Sequence, residues 1–162
     1  MTTLRAFLAL SLLLIATSSP HAASSAAAKS RAPTVEIVRA EFGLFNSIES
    51  EKLGFQPSTV VPYVMDQGYG WVIAVRTTQD SVRIREEFTL PMAPTTWGDP
   101  DPSAKRAISA DGRTALTELT VEVKDGVIFR GWSVAPGDPK GSYVIQVHVE
   151  NEPVKTFKFE VK

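Results

Sequence analysis

GSYVIQVHVENEPVKTFKFEV, Gly141 to Val161, decides the fold class. Tyr143, Ile145, Val147 and Val149 alternate with Val144, Gln146, His148 and Glu150. After Asn151-Glu152-Pro153 the alternation resumes, with Phe157, Phe159 and Val161 opposite Thr156, Lys158 and Glu160. Side chains on a strand point to alternate faces, so each run offers one apolar face and one largely wet face. A short connection with Asn and Pro between two such runs reads as an antiparallel hairpin.

Working upstream, the same period returns. Val127 to Val134 (VIFRGWSV) and Ala115 to Val123 are joined through Asp125-Gly126, a pair that accepts the positive φ angles of a type I′ hairpin turn. Tyr69, Trp71, Ile73 and Val75 alternate with a second face that is also apolar at its centre, which predicts a mid-sheet strand. Thr77 to Asp80 leads tightly into Val82, Ile84, Glu86 and Phe88, set against Arg83, Arg85 and Glu87. That run reads as the antiparallel partner of the Trp71 strand, with a charged outer face. Thr59 to Met65 reads as a short strand kept to an edge by Pro62. Asn46 to Gln56 is polar and reads as a loop with at most one helical turn. Val35 and Ile37 alternate in one phase and Val38, Ala40, Phe42 and Leu44 in the other, a switch that one inserted residue produces, so a bulge is expected.

The total is seven to eight strands, short Gly- and Pro-rich turns, and no helical period after the N-terminal segment. That predicts an all-β chain folded as a single antiparallel β-sandwich, immunoglobulin-like in its connections, with a closed barrel as the alternative.

Met1 to Arg5 is a basic head, Ala6 to Ala16 an apolar run of 11 residues, and small residues follow. This order is that of a secretory signal, and the run is too short to cross a bilayer, which takes about 20 residues. The expected division is a signal peptide over 1–24, a flexible leader over 25–33, and one sandwich domain over 34–162, without a transmembrane segment once the signal is cleaved. The expected location is periplasmic or secreted. A formal net charge of −1 provides no basic stripe for nucleic acid. No cysteine is present, so stability must come from the core rather than from disulfides.

The residues argue against catalysis. Outside the signal the single histidine is His148, on the wet face of its strand beside Gln146 and Glu150. No nucleophile elbow, phosphate loop or paired-histidine motif occurs, and no two carboxylates are singled out as a hydrolytic pair. No cofactor and no metal is expected. Asp99 and Asp101 could offer oxygen to a hard cation, but the six to eight ligands of a calcium site are not in view. Trp71 and Trp132 fall on core phases, and Tyr143 stands where a hydroxyl can lock a corner to nearby backbone. Leu90 to Gly112 breaks every period, with four prolines around Trp97-Gly98-Asp99. A structureless stretch of that length is uncommon in a compact domain and often functional. The Trp97 indole either caps an open end of the sandwich, the reading favoured because burial of a large aromatic surface is stabilising, or faces a ligand. Trp97, Asp99 and Asp101 are the candidate partner-binding residues, the partner being a protein of the cell envelope. The alternative is a carbohydrate-binding module, using Trp97 and Tyr69 as exposed aromatics.

The Gly141-Ser142-Tyr143 start of a strand ending in Val147-His148-Val149, and the closing Phe157-Lys158-Phe159-Glu160-Val161, resemble the last hairpin of many bacterial immunoglobulin-like domains. Together with Phe42-Gly43-Leu44-Phe45, Val61-Pro62 and Leu90-Pro91 through Trp97, the chain resembles an uncharacterised family of small exported bacterial sandwich proteins, a domain of unknown function. The resemblance spans most of Thr34 to Lys162. It implies a sandwich and an envelope location, and it brings no catalytic residues.

Overall fold

The computed structural model describes residues 35–46, 54–99 and 101–162. The expected signal peptide (1–24) and leader (25–33), with Thr34, lie outside the described residues. Among the described residues ten strands form: β1 (Glu36–Phe45), β2 (Phe55–Pro57), β3 (Val60–Val61), β4 (Gly68–Arg76), β5 (Ser81–Thr89), β6 (Lys105–Ile108), β7 (Thr114–Glu122), β8 (Val127–Ser133), β9 (Gly141–Val149) and β10 (Lys155–Val161). No helix occurs among the described residues. The strands make a four-stranded sheet in the order β2-β1-β4-β8 and a six-stranded sheet in the order β3-β10-β9-β5-β7-β6.

The C-terminal hairpin forms as its alternation demands, with Phe157 opposite Ile145 and Phe159 opposite Tyr143. The phase switch in β1 is a register shift between Ile37 and Arg39, and the inserted Val38 is left 56% exposed. Tyr143 donates its hydroxyl to the Pro139 carbonyl at 2.5 Å, the corner lock its position suggested.

Other connections differ from the sequence reading. Asp125 (φ 52°) and Gly126 (φ 74°) do make the positive-φ turn, but β7 and β8 part into different sheets beyond the single Lys124–Val127 bridge. β4 and β5 also separate rather than pair. Each of these runs has a strongly apolar face. Placing consecutive runs in opposite sheets turns those faces toward each other across the core, whereas a hairpin would set them side by side. The expected seven to eight strands become ten because β2 and β6 are too short to carry a readable period. The Thr59 to Met65 strand shrinks to Val60–Val61, which pairs with β10 in parallel, so the sandwich is not purely antiparallel.

Between the sheets lie Trp71, Ile73 and Ile128 from one side and Tyr143, Ile145, Val147, Val149 and Phe159 from the other. Phe42 stacks on Phe159 with ring centroids 4.0 Å apart, tying β1 to β10. Each such side chain contributes about 1.5–3 kcal/mol by leaving water. This core carries the domain without disulfides. The four-stranded sheet has a second, outer aromatic cluster. Phe45 lies over Gly70 and Gly131, flanked by Phe55 and Phe129.

Candidate functional site

One carboxylate interrupts the core. β5 alternates regularly, and its inward phase reads Val82, Ile84, Glu86, Phe88. The pleat therefore sends Glu86 between the sheets, where it is 1% exposed. Its row across the six-stranded sheet continues through Thr117 on β7, itself buried, to Arg106 on the edge strand β6. From the facing sheet come Trp71 on β4 and Arg130 on β8, which are Cα partners. The Trp71 indole N–H donates to Glu86 Oε2 at 2.7 Å, and Arg130 Nε stands 3.6 Å from Oε1. Arg130 also lies over the Trp132 ring, 5.5 Å from its centroid.

Burial pushes the Glu86 carboxyl up to about 7, while Arg130, the Trp71 N–H and Arg106 pull less strongly the other way. The physical cause is plain: an ionised carboxylate between two apolar sheets has lost its water, and one close N–H with one longer ion pair does not restore it. Two donors of the cluster, Arg106 Nε and Arg130 Nη1, are buried with no hydrogen-bond partner.

The irregular stretch that contains Trp97 lies beside this cluster. Arg106 donates from Nη1 to the carbonyls of Trp97 (2.9 Å) and Gly98 (3.1 Å). The Trp97 indole N–H donates to the Gly112 carbonyl at 2.9 Å, and its ring meets Phe88 edge-on at 5.9 Å. Leu90 and Arg113 close the base of the stretch through a backbone bond of 3.0 Å and Arg113 Nε on the Leu90 carbonyl at 3.2 Å. Trp97 is thus half-buried against the core, and the same Arg106 that faces Glu86 holds the loop backbone. The loop is not wholly irregular either, since its second half contains β6.

Asp99 and Asp101 both stand exposed on this loop. Asp101 accepts from Ser103 through both the backbone N–H (2.8 Å) and the hydroxyl (2.7 Å), which holds its carboxyl below the usual range. Met92, 62% exposed, and Ile108, 42% exposed, are large apolar residues the loop presents. Among the described residues no group of three or more His, Asp or Glu converges as a metal site would require. Tyr69, expected as a possible surface aromatic, is only 3% exposed and stacks on Trp132, which leaves Trp97 without it as a second sugar-stacking ring. His148 borders a groove of about 600 Å³ on the outer face of the six-stranded sheet. There Arg83 and Glu150 pair at 2.8 Å.

Glu86, Arg106, Thr117 and Arg130 were not singled out by sequence reasoning. Two of them carried a signal. Glu86 occupies an inward phase between Ile84 and Phe88, and Arg130 sits between Ile128 and Trp132 on theirs. A charge on a core phase demands a buried partner. Arg106 lies on a strand of four residues, too short for its phase to be read.

The model of a family described as the PM0630 beta sandwich domain matches residues 40–162. No curated protein matches the chain. Among solved structures, an immunoglobulin-like protein from Pseudomonas aeruginosa superposes with a TM-score of 0.52 at 18% identity, covering 80% of this chain and 97% of that one. The soluble domain of PmoD from Methylocystis sp. matches at 16% identity over 76% of this chain and 90% of that one. Its TM-score of 0.38 is too low to carry an argument. At these identities the likeness speaks for the immunoglobulin-like fold alone. Among the described residues, no helix is long and apolar enough to cross a membrane.

Proposed function

The chain belongs to the PM0630 beta sandwich domain family, and from that premise we propose that it is a non-catalytic, exported binding or accessory module of the bacterial cell envelope. Its contact surface is the loop that carries Trp97, Asp99 and Asp101, and its partner is an envelope protein. The observation that carries this reading is the way the loop is built. A long segment with little regular structure is fastened from beneath by Arg106 and Trp97, while Met92, Asp99 and Asp101 stay in solvent. Binding residues on sandwich scaffolds sit on loops that a rigid frame positions, and a fastened loop loses less entropy on contact. The basic, apolar and small-residue order of the first 24 residues supports export to the periplasm or beyond.

A photo-reactive amino acid at position 92, compared with one at Lys158 on the hairpin's wet face, tests the proposal in native cells. The expected result is a discrete adduct with an envelope protein from position 92 only, weakened by Asp99→Lys at unchanged melting temperature. Equal labelling from both positions, or none from position 92, removes the loop as the contact surface. Fractionation and N-terminal sequencing of the recovered protein test export. A cytoplasmic protein with an intact N-terminus refutes it.

A further inference from the structure

Glu86 occupies a place where a sandwich core ordinarily holds an aliphatic side chain, and one strand beyond its neighbour β7 the sheet ends in the short edge strand β6. Its row runs Val147, Glu86, Thr117, Arg106 and ends on β6, four residues long with β7 as its strand neighbour. The charged and titratable groups facing it are Arg130 from β8, Arg106 from β6 and Tyr69 from β4. β4 also gives the Trp71 N–H, and β7 and β9 contribute the uncharged Thr117 and Val147.

We infer that β6 and the Trp97 loop form a cover over Glu86 that is shut while Glu86 holds a proton and is released when it ionises. This regulates the contact loop described above and rests on that reading for its purpose, though the motion itself does not. Protonated, Glu86 still accepts from Trp71 through its carbonyl oxygen and is no longer itself a buried charge. Ionised, it has one N–H at 2.7 Å and one guanidinium nitrogen at 3.6 Å, fewer partners than a buried carboxylate needs. Lifting β6 admits water to it.

The direction follows from linkage. Burial is the largest influence on the Glu86 carboxyl and raises it to about 7, whereas Arg106 is the smallest of the influences that lower it. Opening relieves the first and removes the last. The open form therefore has the lower pKa, and rising pH favours it. Because Arg106 also holds the carbonyls of Trp97 and Gly98, strand and loop move together.

Hydrogen exchange of the full chain at pH 6, 7 and 8, corrected for intrinsic rates, tests this. If opening returns Glu86 to an ordinary carboxylate value, protection over residues 93–108 falls roughly tenfold from pH 6 to pH 8, while β9 and β10 do not change. Glu86→Gln is expected to remain protected throughout, and His148→Gln to behave as wild type. A flat profile in the wild type, or the same fall in Glu86→Gln, overturns the inference. Should Glu86→Gln fail to fold, carbon NMR of the wild-type Glu86 carboxyl decides. A midpoint near 7 that moves with the Trp71 indole signal supports the cover, and a midpoint below about 5 overturns it. Cross-linking from position 92 is a separate readout. Its loss with the exchange pattern intact removes the contact reading alone, and flat exchange with cross-linking intact removes the cover alone.

Discussion

Trp97→Ala is the perturbation that weighs the loop's structural role. The indole loses three things on truncation. Its N–H bond to the Gly112 carbonyl, 2.9 Å, is worth about 1 kcal/mol. The edge-on contact with Phe88 at 5.9 Å and 73° adds about 1 kcal/mol. The apolar area of a half-buried ring adds about 1–2 kcal/mol. Relaxation of an irregular loop recovers part of this, so the expected loss is about 3 kcal/mol. Trp97→Phe keeps the ring contact, gives up only the N–H, and is expected to lose about 1 kcal/mol. In a domain of this size each kcal/mol moves the melting temperature by about 3–5 °C. Calorimetry should therefore place the Ala variant about 10 °C below wild type and the Phe variant about 4 °C below. A double-mutant cycle with Phe88→Leu should return a coupling near 1 kcal/mol. If Trp97→Ala melts within about 2 °C of wild type, the ring is not fastening the loop and the reasoning from its contacts fails.

Three further outcomes follow from the same structure. The folded-state value of Glu86 is raised above the unfolded one, so its contribution to stability is fully present below about pH 4.5 and is lost as pH rises to about 7. Urea unfolding should show the wild type weakening by about 2–3 kcal/mol between pH 5 and pH 8, and Glu86→Gln should show no such fall; a rising curve, or the same fall in the variant, contradicts the burial argument. Tyr143→Phe breaks the corner bond to Pro139 and should cost about 1–2 kcal/mol in chemical denaturation, whereas a neutral result would mean that the corner holds without it. At Gly70, a Cβ would meet the Arg130 carbonyl oxygen at 2.1 Å, so Gly70→Ala must push β4 and β8 apart; soluble, wild-type-like protein by circular dichroism and melting would refute that close approach.

The strands that were legible are those whose faces differ in polarity. In β9 and β10 every second residue is buried, so period two shows in the sequence and in the burial alike. The β1 bulge was legible for the same reason, because an inserted residue changes the phase of the apolar set. β2 and β6 escaped because strands of three and four residues hold too few alternations to distinguish from loop. Trp97 was visible as an aromatic on a long loop, but its seat against Phe88 and Gly112 depends on residues nine and fifteen positions away.

The sequence by itself determined an all-β chain, the closing hairpin, the Asp125-Gly126 turn and the Tyr143 corner, since each rests on neighbours within a few residues. Only the tertiary structure decided which strands share a sheet. A turn fixes where the chain reverses, but whether the returning strand pairs with its predecessor or crosses to the opposite sheet depends on how the apolar faces of all ten strands are buried together. The Glu86 cluster belongs to that second kind. Its members come from β4, β5, β6, β7 and β8, across both sheets, and no local pattern joins them. What brings them together is the cost of leaving a carboxylate alone in the core, which is a property of the assembled sandwich.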